Sequence, residues 1–284
     1  MSTSTPQQIT DPLCYHGEGP VWSPVWGGLR WVDMLAGDLL TLRDDEAVDR
    51  LHVGSRVAAF VRPRTGGGYV VGLERGLGLA DDPHAAPTAL DPMWTDENLR
   101  MNEGGCDPAG NLYCGNMAYD RTPEIANLYR VTADGDVSVA LEGVTTSNGI
   151  DFSPDGSRAY YNDTHTGGTD VFDVDESGEL TNRRRFHSAD DGRADGLCVD
   201  SAGNVWVALN RVGRVRLYSP GAEVLTEISL PVRLTTACTL GGEDGRDLYV
   251  TTSREKLEDP EPEAGAVFRV RVDTPGKAVL PYAG

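Results

Sequence analysis

The chain has 284 residues, of which 39% are hydrophobic, and this content can form the core of one large domain or of two average ones. Its formal net charge of −19 argues against nucleic acid or an anionic membrane surface as a partner. The sequence has no leader-like N-terminal segment and no apolar run of the roughly 18 residues that cross a bilayer, so we expect a cytoplasmic protein.

Cysteine usage is typical of a reducing compartment. The five cysteines are odd in number and lack any CxxC spacing, so we expect reduced and mostly buried side chains. Cys106 and Cys114 could face each other across a hairpin, but we do not expect a disulfide between them.

An internal repeat runs along the whole chain. Six segments share an extended run, a turn containing glycine, and a second run marked by an aromatic residue. These aromatic residues are Trp31, Tyr69, Tyr113, Tyr160, Trp206 and Tyr249. The intervals between them are 38, 44, 47, 46 and 43 residues, and periods of about 40 to 50 residues with several short strands are typical of β-propellers. We therefore predict an all-β six-bladed β-propeller, formed by residues 1–284 as one domain.

Further strands are predicted between the aromatic markers. Residues 127–132 and 137–141 form a hairpin around an Asp-Gly turn, and residues 169–174 and 214–218 alternate in the same way. Residues 265–272 are predicted to form a late strand. A strand within residues 8–15 would complete the last blade and remove its open edge.

Four polar residues lie at nearly the same distance before their aromatic markers. Glu18 precedes its marker by 13 residues, Asn148 by 12, and Asn102 and Asp195 by 11. Equal register in different blades means equal height around the central channel, so these side chains are expected to converge. Propellers often line their channels with polar residues and water, and each residue alone fits that interpretation.

Together, the two carboxylates and two amides predict a metal site in the central channel. Carboxylates brought together repel each other, and a divalent cation removes that repulsion. Glu18 and Asp195 supply the negative charges, and Asn148 adds a neutral oxygen. A set of oxygen ligands without His or Cys favours a hard ion such as Ca²⁺, Mg²⁺ or Mn²⁺.

Several motifs resemble those of the regucalcin (senescence marker protein)/gluconolactonase family. They occur in matching order at residues 17–22, 100–104, 147–149, 194–197, 234–238 and 281–284. The resemblance implies a six-bladed propeller with one divalent cation in its channel. Ca²⁺ is favoured, with Zn²⁺, Mn²⁺, Mg²⁺ and Fe²⁺ as alternatives.

The resemblance also implies roles for individual residues. The cation ligands would be Glu18, Asn148 and Asp195, and the substrate would contact Arg100 and Asn102. Asp120 matches a position at which regucalcin has a substrate-contacting glutamate, so it is a further substrate-binding candidate with a shorter side chain.

We therefore predict a metal-dependent hydrolase of small sugar lactones, with Asp195 as the general base, acting as a monomer or a weak homo-oligomer. One alternative is a phosphotriesterase that uses the same cation site. Another is a calcium-binding propeller without enzymatic activity. The five histidines show no ligand spacing and are expected at the surface or in packing, although His165 could reach the channel mouth.

Overall fold

The structure is a computed structural model that describes residues 5–189 and 191–284. It contains 24 strands within these residues, grouped in six four-stranded antiparallel sheets. Residues 1–4, part of the segment in which no leader is expected, lie outside the described residues. No helix in the described part of the chain is long and apolar enough to cross a membrane.

The strands follow one another in chain order around the molecule. They are β1 (Gln7–Gln8), β2 (Gly17–Ser23), β3 (Gly28–Asp33), β4 (Asp38–Leu42), β5 (Val48–His52), β6 (Val61–Pro63), β7 (Tyr69–Gly72), β8 (Leu77–Ala80), β9 (Thr88–Ala89), β10 (Leu99–Cys106), β11 (Leu112–Ala118), β12 (Ala126–Val131), β13 (Val137–Val144), β14 (Ser147–Phe152), β15 (Arg158–Asp163), β16 (Gly168–Val174), β17 (Leu180–Ser188), β18 (Arg193–Val199), β19 (Val205–Asn210), β20 (Arg214–Tyr218), β21 (Val224–Ser229), β22 (Thr235–Gly241), β23 (Asp247–Thr252) and β24 (Val267–Arg271). Two short 3₁₀ turns, Met34–Ala36 and Thr164–Thr166, connect strands.

Each sheet is one blade of a six-bladed β-propeller, which confirms the predicted fold class. The innermost strands β2, β6, β10, β14, β18 and β22 contact one another in sequence, and β22 closes the ring against β2. All six aromatic markers lie in the second strand of their blade and are buried. Their burial between neighbouring blades explains why the repeat is visible in the sequence.

The N-terminus completes the last blade, as predicted. Gln7 and Gln8 pair with Arg269 and Phe268 of β24, so the first and last segments of the chain share one sheet. The strand is shorter than the predicted span of residues 8–15. Pro12 has no N–H to donate to a ladder, and the Arg254 guanidinium instead holds its carbonyl oxygen at 2.8 Å as the chain crosses to the first blade.

The C-terminal segment covers one end of the channel. Residues 276–280 line a small cavity of about 80 Å³ together with the far ends of several innermost strands. Tyr282 is buried, and its hydroxyl donates to the carbonyl of Thr132 at 2.8 Å. The opposite end of the channel therefore holds the larger opening.

All five cysteines are free thiols in the described structure. Cys198 and Cys238 lie on adjacent innermost strands with their Sγ atoms 3.9 Å apart, at the covered end of the channel.

Candidate active site

The four polar residues singled out in the sequence lie on four innermost strands. Glu18, Asn102, Asn148 and Asp195 are near the starts of β2, β10, β14 and β18, and all four line one cavity of about 680 Å³. Each is at most 6% exposed. Because every blade enters the ring in the same direction, these strand starts meet at the open end of the channel.

A β-bulge accompanies each of these residues. The pairing register shifts between Glu18 and Val21, between Met101 and Glu103, between Ser147 and Ile150, and between Ala194 and Leu197. A bulge adds an unpaired residue and redirects its side chain, and bulges are common beside active sites. The strand therefore turns its polar residue toward the axis without ending the blade.

The glycines that follow these residues allow neighbouring strands to approach closely. A Cβ on Gly149 would lie 2.5 Å from the backbone nitrogen of Leu197, and a Cβ on Gly196 would lie 2.4 Å from the Cβ of Ala237. Any side chain at these positions would push adjacent innermost strands apart. The polar-residue–glycine pairs are therefore a requirement of a tightly closed channel.

Glu18 is a buried carboxylate with little internal compensation. Its Oε2 accepts a hydrogen bond from the N–H of Gly19 at 3.1 Å, and its Oε1 lies 3.9 Å from Nε2 of His16. Burial raises the pKa of Glu18 well above its usual value, and the charges of Asp195 and Glu103 raise it further. Burial also lowers the pKa of His16 to about 4, so this imidazole is neutral at neutral pH and does not balance the carboxylate.

Asp195 and Asn148 each present an oxygen with no partner. Asn210 donates to Oδ2 of Asp195 at 2.9 Å, and Asn148 uses its Nδ2 to donate to the hydroxyl of Thr164 at 3.0 Å. The Oδ1 atoms of both residues are buried and make no hydrogen bond. Burial raises the pKa of Asp195, to which the charge of Glu103 also contributes. Buried oxygens without partners destabilise a fold unless a ligand satisfies them.

These donors fit a divalent cation of the hard class. Glu18, Asn148 and Asp195 line the same cavity, and the unpartnered Oδ1 atoms of Asn148 and Asp195 are the atoms that such an ion would satisfy. No group of three or more His, Cys, Asp and Glu side chains in the described residues is placed to hold a metal ion. The third oxygen of this set comes instead from an amide.

Arg100 and Asn102 lie together on β10 beside the carboxylates. The Nη1 of Arg100 donates to Oδ1 of Asn102 at 2.7 Å and to the carbonyl of Met101 at 3.0 Å. Asn102 in turn donates to the carbonyl of Ser147 at 2.7 Å. The guanidinium is thus fixed in orientation, and its Nη2 makes no hydrogen bond with the described residues. Both residues line the cavity.

Asp120 lies apart from this cavity. It follows β11 at the exposed surface, and its Oδ1 accepts hydrogen bonds from the N–H and hydroxyl of Thr122 at 2.9 and 2.8 Å. It does not line the cavity, although Arg121 next to it does. Its role in substrate binding stays a prediction.

Several residues of the cavity were not identified from the sequence. His16 lines the cavity beside Glu18 rather than an outer surface, and Asn210 holds the second oxygen of Asp195. His16 precedes Glu18 by two residues, and in an extended segment such residues share a face. The sequence therefore contained a pattern that places His16 beside Glu18. His165 lines the cavity at its mouth, in agreement with the position anticipated for it.

The mouth of the cavity is strongly basic. The cationic residues that line it are Arg100, Arg121, Arg193, Arg211, Arg233 and Lys256. Three carboxylates line it, those of Glu18, Asp195 and Glu255. Burial lowers the pKa of Arg193, and the positive charges of Arg211 and Arg121 lower it further, so both of these guanidinium groups act on Arg193. No sequence pattern had indicated this cluster.

The chain is similar to known proteins over nearly its whole length. Residues 16–254 match the family described as "SMP-30/Gluconolactonase/LRE-like region". A 6-deoxy-6-sulfogluconolactonase of Pseudomonas putida is 38% identical over 277 residues, which cover 94% of this chain and 95% of that protein. Regucalcin of Sus scrofa is 34% identical over 290 residues, with coverage of 95% and 96%. The crystal structure of a calcium-binding protein, regucalcin, of Agrobacterium tumefaciens has a TM-score of 0.91 at 24% identity, covers 99% of this chain and 98% of its own, and shares the fold.

Proposed function

Because the chain belongs to the SMP-30/gluconolactonase/LRE-like family, we propose that it is a lactonase that hydrolyses small sugar lactones with a divalent cation in its channel. The observation that supports this most strongly is the pair of buried oxygens without a hydrogen bond, Oδ1 of Asn148 and Oδ1 of Asp195, in two residues that line one cavity with Glu18. Ca²⁺ is the favoured ion, since all three donors are oxygens.

The proposed ligands are Glu18, Asn148 and Asp195. A divalent cation held there would polarise an ester carbonyl and stabilise the negative charge that develops on its oxygen. The two carboxylates are each buried, and a cation would favour their ionised forms against the cost of burial. Asn148 donates through its Nδ2 to the hydroxyl of Thr164, and its Oδ1 is buried without a hydrogen bond.

Asp195 is the proposed general base. Asn210 holds its Oδ2, and its Oδ1 makes no hydrogen bond; this oxygen has two lone pairs, so it can contact the cation with one and accept a proton from the attacking water with the other. The water oxygen then bonds to the lactone carbonyl carbon. The ring C–O bond breaks, and the proton passes from Asp195 to the departing alkoxide, giving a hydroxy acid. Arg100 and Asn102 would hold hydroxyl groups of the substrate beside this centre.

A lactone panel tests the proposed function directly. We expect purified protein supplied with Ca²⁺, Mn²⁺, Mg²⁺ or Zn²⁺ to open aldonolactones. The release of acid measures this reaction. Aryl phosphotriesters and an unsubstituted ring lactone serve as comparison substrates. Faster turnover of phosphotriesters would favour the phosphotriesterase alternative. No turnover of any substrate, together with a cation-dependent rise in the melting temperature, would favour a calcium-binding propeller without activity.

Arg100→Ala is expected to weaken the recognition of substrate hydroxyl groups. Its fixed guanidinium can donate two hydrogen bonds to neighbouring oxygens, and a charge-assisted bond contributes about 1.5 kcal/mol or more. We therefore expect kcat/KM for a hydroxyl-rich lactone to fall by roughly tenfold. Turnover of an unsubstituted ring lactone should fall much less, and cation affinity measured by calorimetry should be retained.

Arg100→Lys is the matched control for this prediction, since it keeps the charge and removes the planar fork. If Arg100→Lys has full wild-type activity on both lactones, or if Arg100→Ala impairs turnover of both equally, Arg100 acts through its charge and does not recognise the sugar hydroxyl groups.

A further inference from the structure

We propose that this cavity selects sugar lactones that bear an anionic group at the end of the molecule far from the ring ester. The inference rests on the proposed lactonase function and adds its substrate class. It follows from the position and the lack of partners of three arginines at the cavity mouth, Arg121, Arg193 and Arg211.

The topology of the propeller brings these arginines together. Arg193 is the first residue of β18, two residues before Asp195 on the same strand. Arg121 and Arg211 lie in the loops that connect the second and third strands of their blades, β11 to β12 and β19 to β20. Strand starts and these loops occupy the same end of each blade. The three guanidinium groups therefore lie around the open end of the channel, above the proposed cation site.

None of the three arginines pairs with an acidic side chain in the part of the chain that the structure describes. Within the described residues, no side-chain hydrogen bond or ion pair joins Arg121, Arg193 or Arg211 to an acceptor. Nearby arginines behave differently, since Arg214 and Arg216 both lie within 3 Å of Asp191. In a chain with 44 acidic residues and a net charge of −19, a local group of three cations that form no ion pair with the described residues is unusual. An anion bound at the mouth would supply a counter-charge.

The backbone conformation gives an independent indication that the cavity mouth is a functional site. Arg121 and Arg211 have φ angles of 62° and 78°, and Lys256 at the same mouth has a φ of 57°. Glycine or asparagine adopts this left-handed conformation at lower cost than a long side chain. Of the seven non-glycine residues with positive φ in the described chain, three line this cavity, and all three are cationic. Strained residues that persist at one site indicate a functional constraint there.

The spacing fits an anionic group at the far end of a sugar. Two residues of extended strand span roughly 7 Å, which separates Arg193 from Asp195 along β18. A six-carbon lactone with its carbonyl carbon near Asp195 therefore extends its terminal carbon toward the arginines. The cavity of about 680 Å³ has room for such a molecule and its charged group. Sulfonate, phosphate and carboxylate share the chemistry that guanidinium groups recognise.

The test compares four lactones that differ only at the terminal carbon: the neutral alcohol, the phosphate, the sulfonate and the carboxylate. We expect kcat/KM for at least one anionic lactone to exceed that for the neutral lactone by roughly tenfold or more. The order among the three anions shows which charged group the arginines bind best. Raising the ionic strength from about 0.01 M to about 0.5 M should reduce the preference, because exposed charges are screened.

The variant Arg121→Asn/Arg211→Asn removes two charges while keeping a residue that tolerates positive φ. We expect its melting temperature to be equal to or above that of the wild type, and the anionic-to-neutral ratio of kcat/KM to fall at least tenfold. Arg193→Gln should lower the ratio as well. Arg43→Gln is the matched control, since Arg43 pairs with Asp45 on an outer surface and its loss should leave the ratio unchanged.

A binding measurement separates this inference from the proposed function. Calorimetry with gluconate and 6-phosphogluconate as probes should show at least tenfold tighter binding of the phosphorylated acid to wild-type protein, but not to the double variant. Equal binding of both acids, or an unchanged ratio in the double variant, would overturn the inference even if lactones are hydrolysed. Tight selective binding without any lactone turnover would overturn the proposed function and leave the anion site intact.

Discussion

Asp195→Asn should lower kcat for lactone hydrolysis by at least about 100-fold at saturating cation, since it removes the proposed general base. The amide has nearly the same shape as the carboxylate, and Asn210 can still donate to its oxygen. Substrate binding by Arg100 and Asn102 should persist, so KM is expected to change much less than kcat.

The stability of this variant separates a catalytic role from a structural one. Asp195 is 6% exposed, and its burial raises its pKa, which shows that the ionised form is disfavoured in the cation-free protein. Replacing this buried carboxyl group by a neutral amide of the same shape should therefore leave the melting temperature of cation-free protein unchanged or raised. A loss of activity together with a lowered melting temperature would instead indicate misfolding. Recovery of wild-type turnover in excess cation would show that Asp195 is only a ligand.

The sequence was sufficient to predict the fold because each blade repeats the same packing arrangement. An aromatic residue in the second strand of every blade is buried between blades, so Trp31, Tyr113 and Trp206 recur at nearly constant intervals. Closure by the N-terminus was also predictable, since β22, β23 and β24 leave the last blade one strand short.

The central residues of the site could be predicted from the sequence for the same reason. Glu18, Asn148 and Asp195 stand at equal register in their blades, and each is followed by a glycine that the closed channel requires. The bulges that direct these side chains inward could not be predicted, because a register shift is a property of the paired strands and not of one segment.

The mouth of the cavity was not predictable from periodicity. Arg121 and Arg211 lie in loops of different blades, 90 residues apart in the chain, and no spacing relates them. Their proximity follows only from the closed ring. Asp120 illustrates the converse, since it lies beside Arg121 in the sequence yet outside the cavity lining, with its carboxylate engaged by Thr122.

Cation binding should depend on Glu18 more than on any neutral residue of the channel. Glu18→Gln removes one of the two carboxylates of the proposed ligand set, and ligand charge sets the affinity of oxygen sites for Ca²⁺. We expect calorimetry to show at least about tenfold weaker binding. Lactonase activity of Glu18→Gln should return toward the wild-type value when the cation concentration is raised accordingly. Thr236→Val is the matched control, because Thr236 lies at the corresponding position of the last blade and binds the carbonyl of Gly17.

Removal and return of the cation test the central claim most directly. Protein stripped by a chelator, and shown to be metal-free by elemental analysis, should lose nearly all lactonase activity and regain it when one divalent ion is added. At an ion concentration about 100 times its Kd, the native state should also gain roughly 2.7 kcal/mol in the free energy of unfolding, which a thermal melt detects. Full lactone turnover by the metal-free protein would contradict the account.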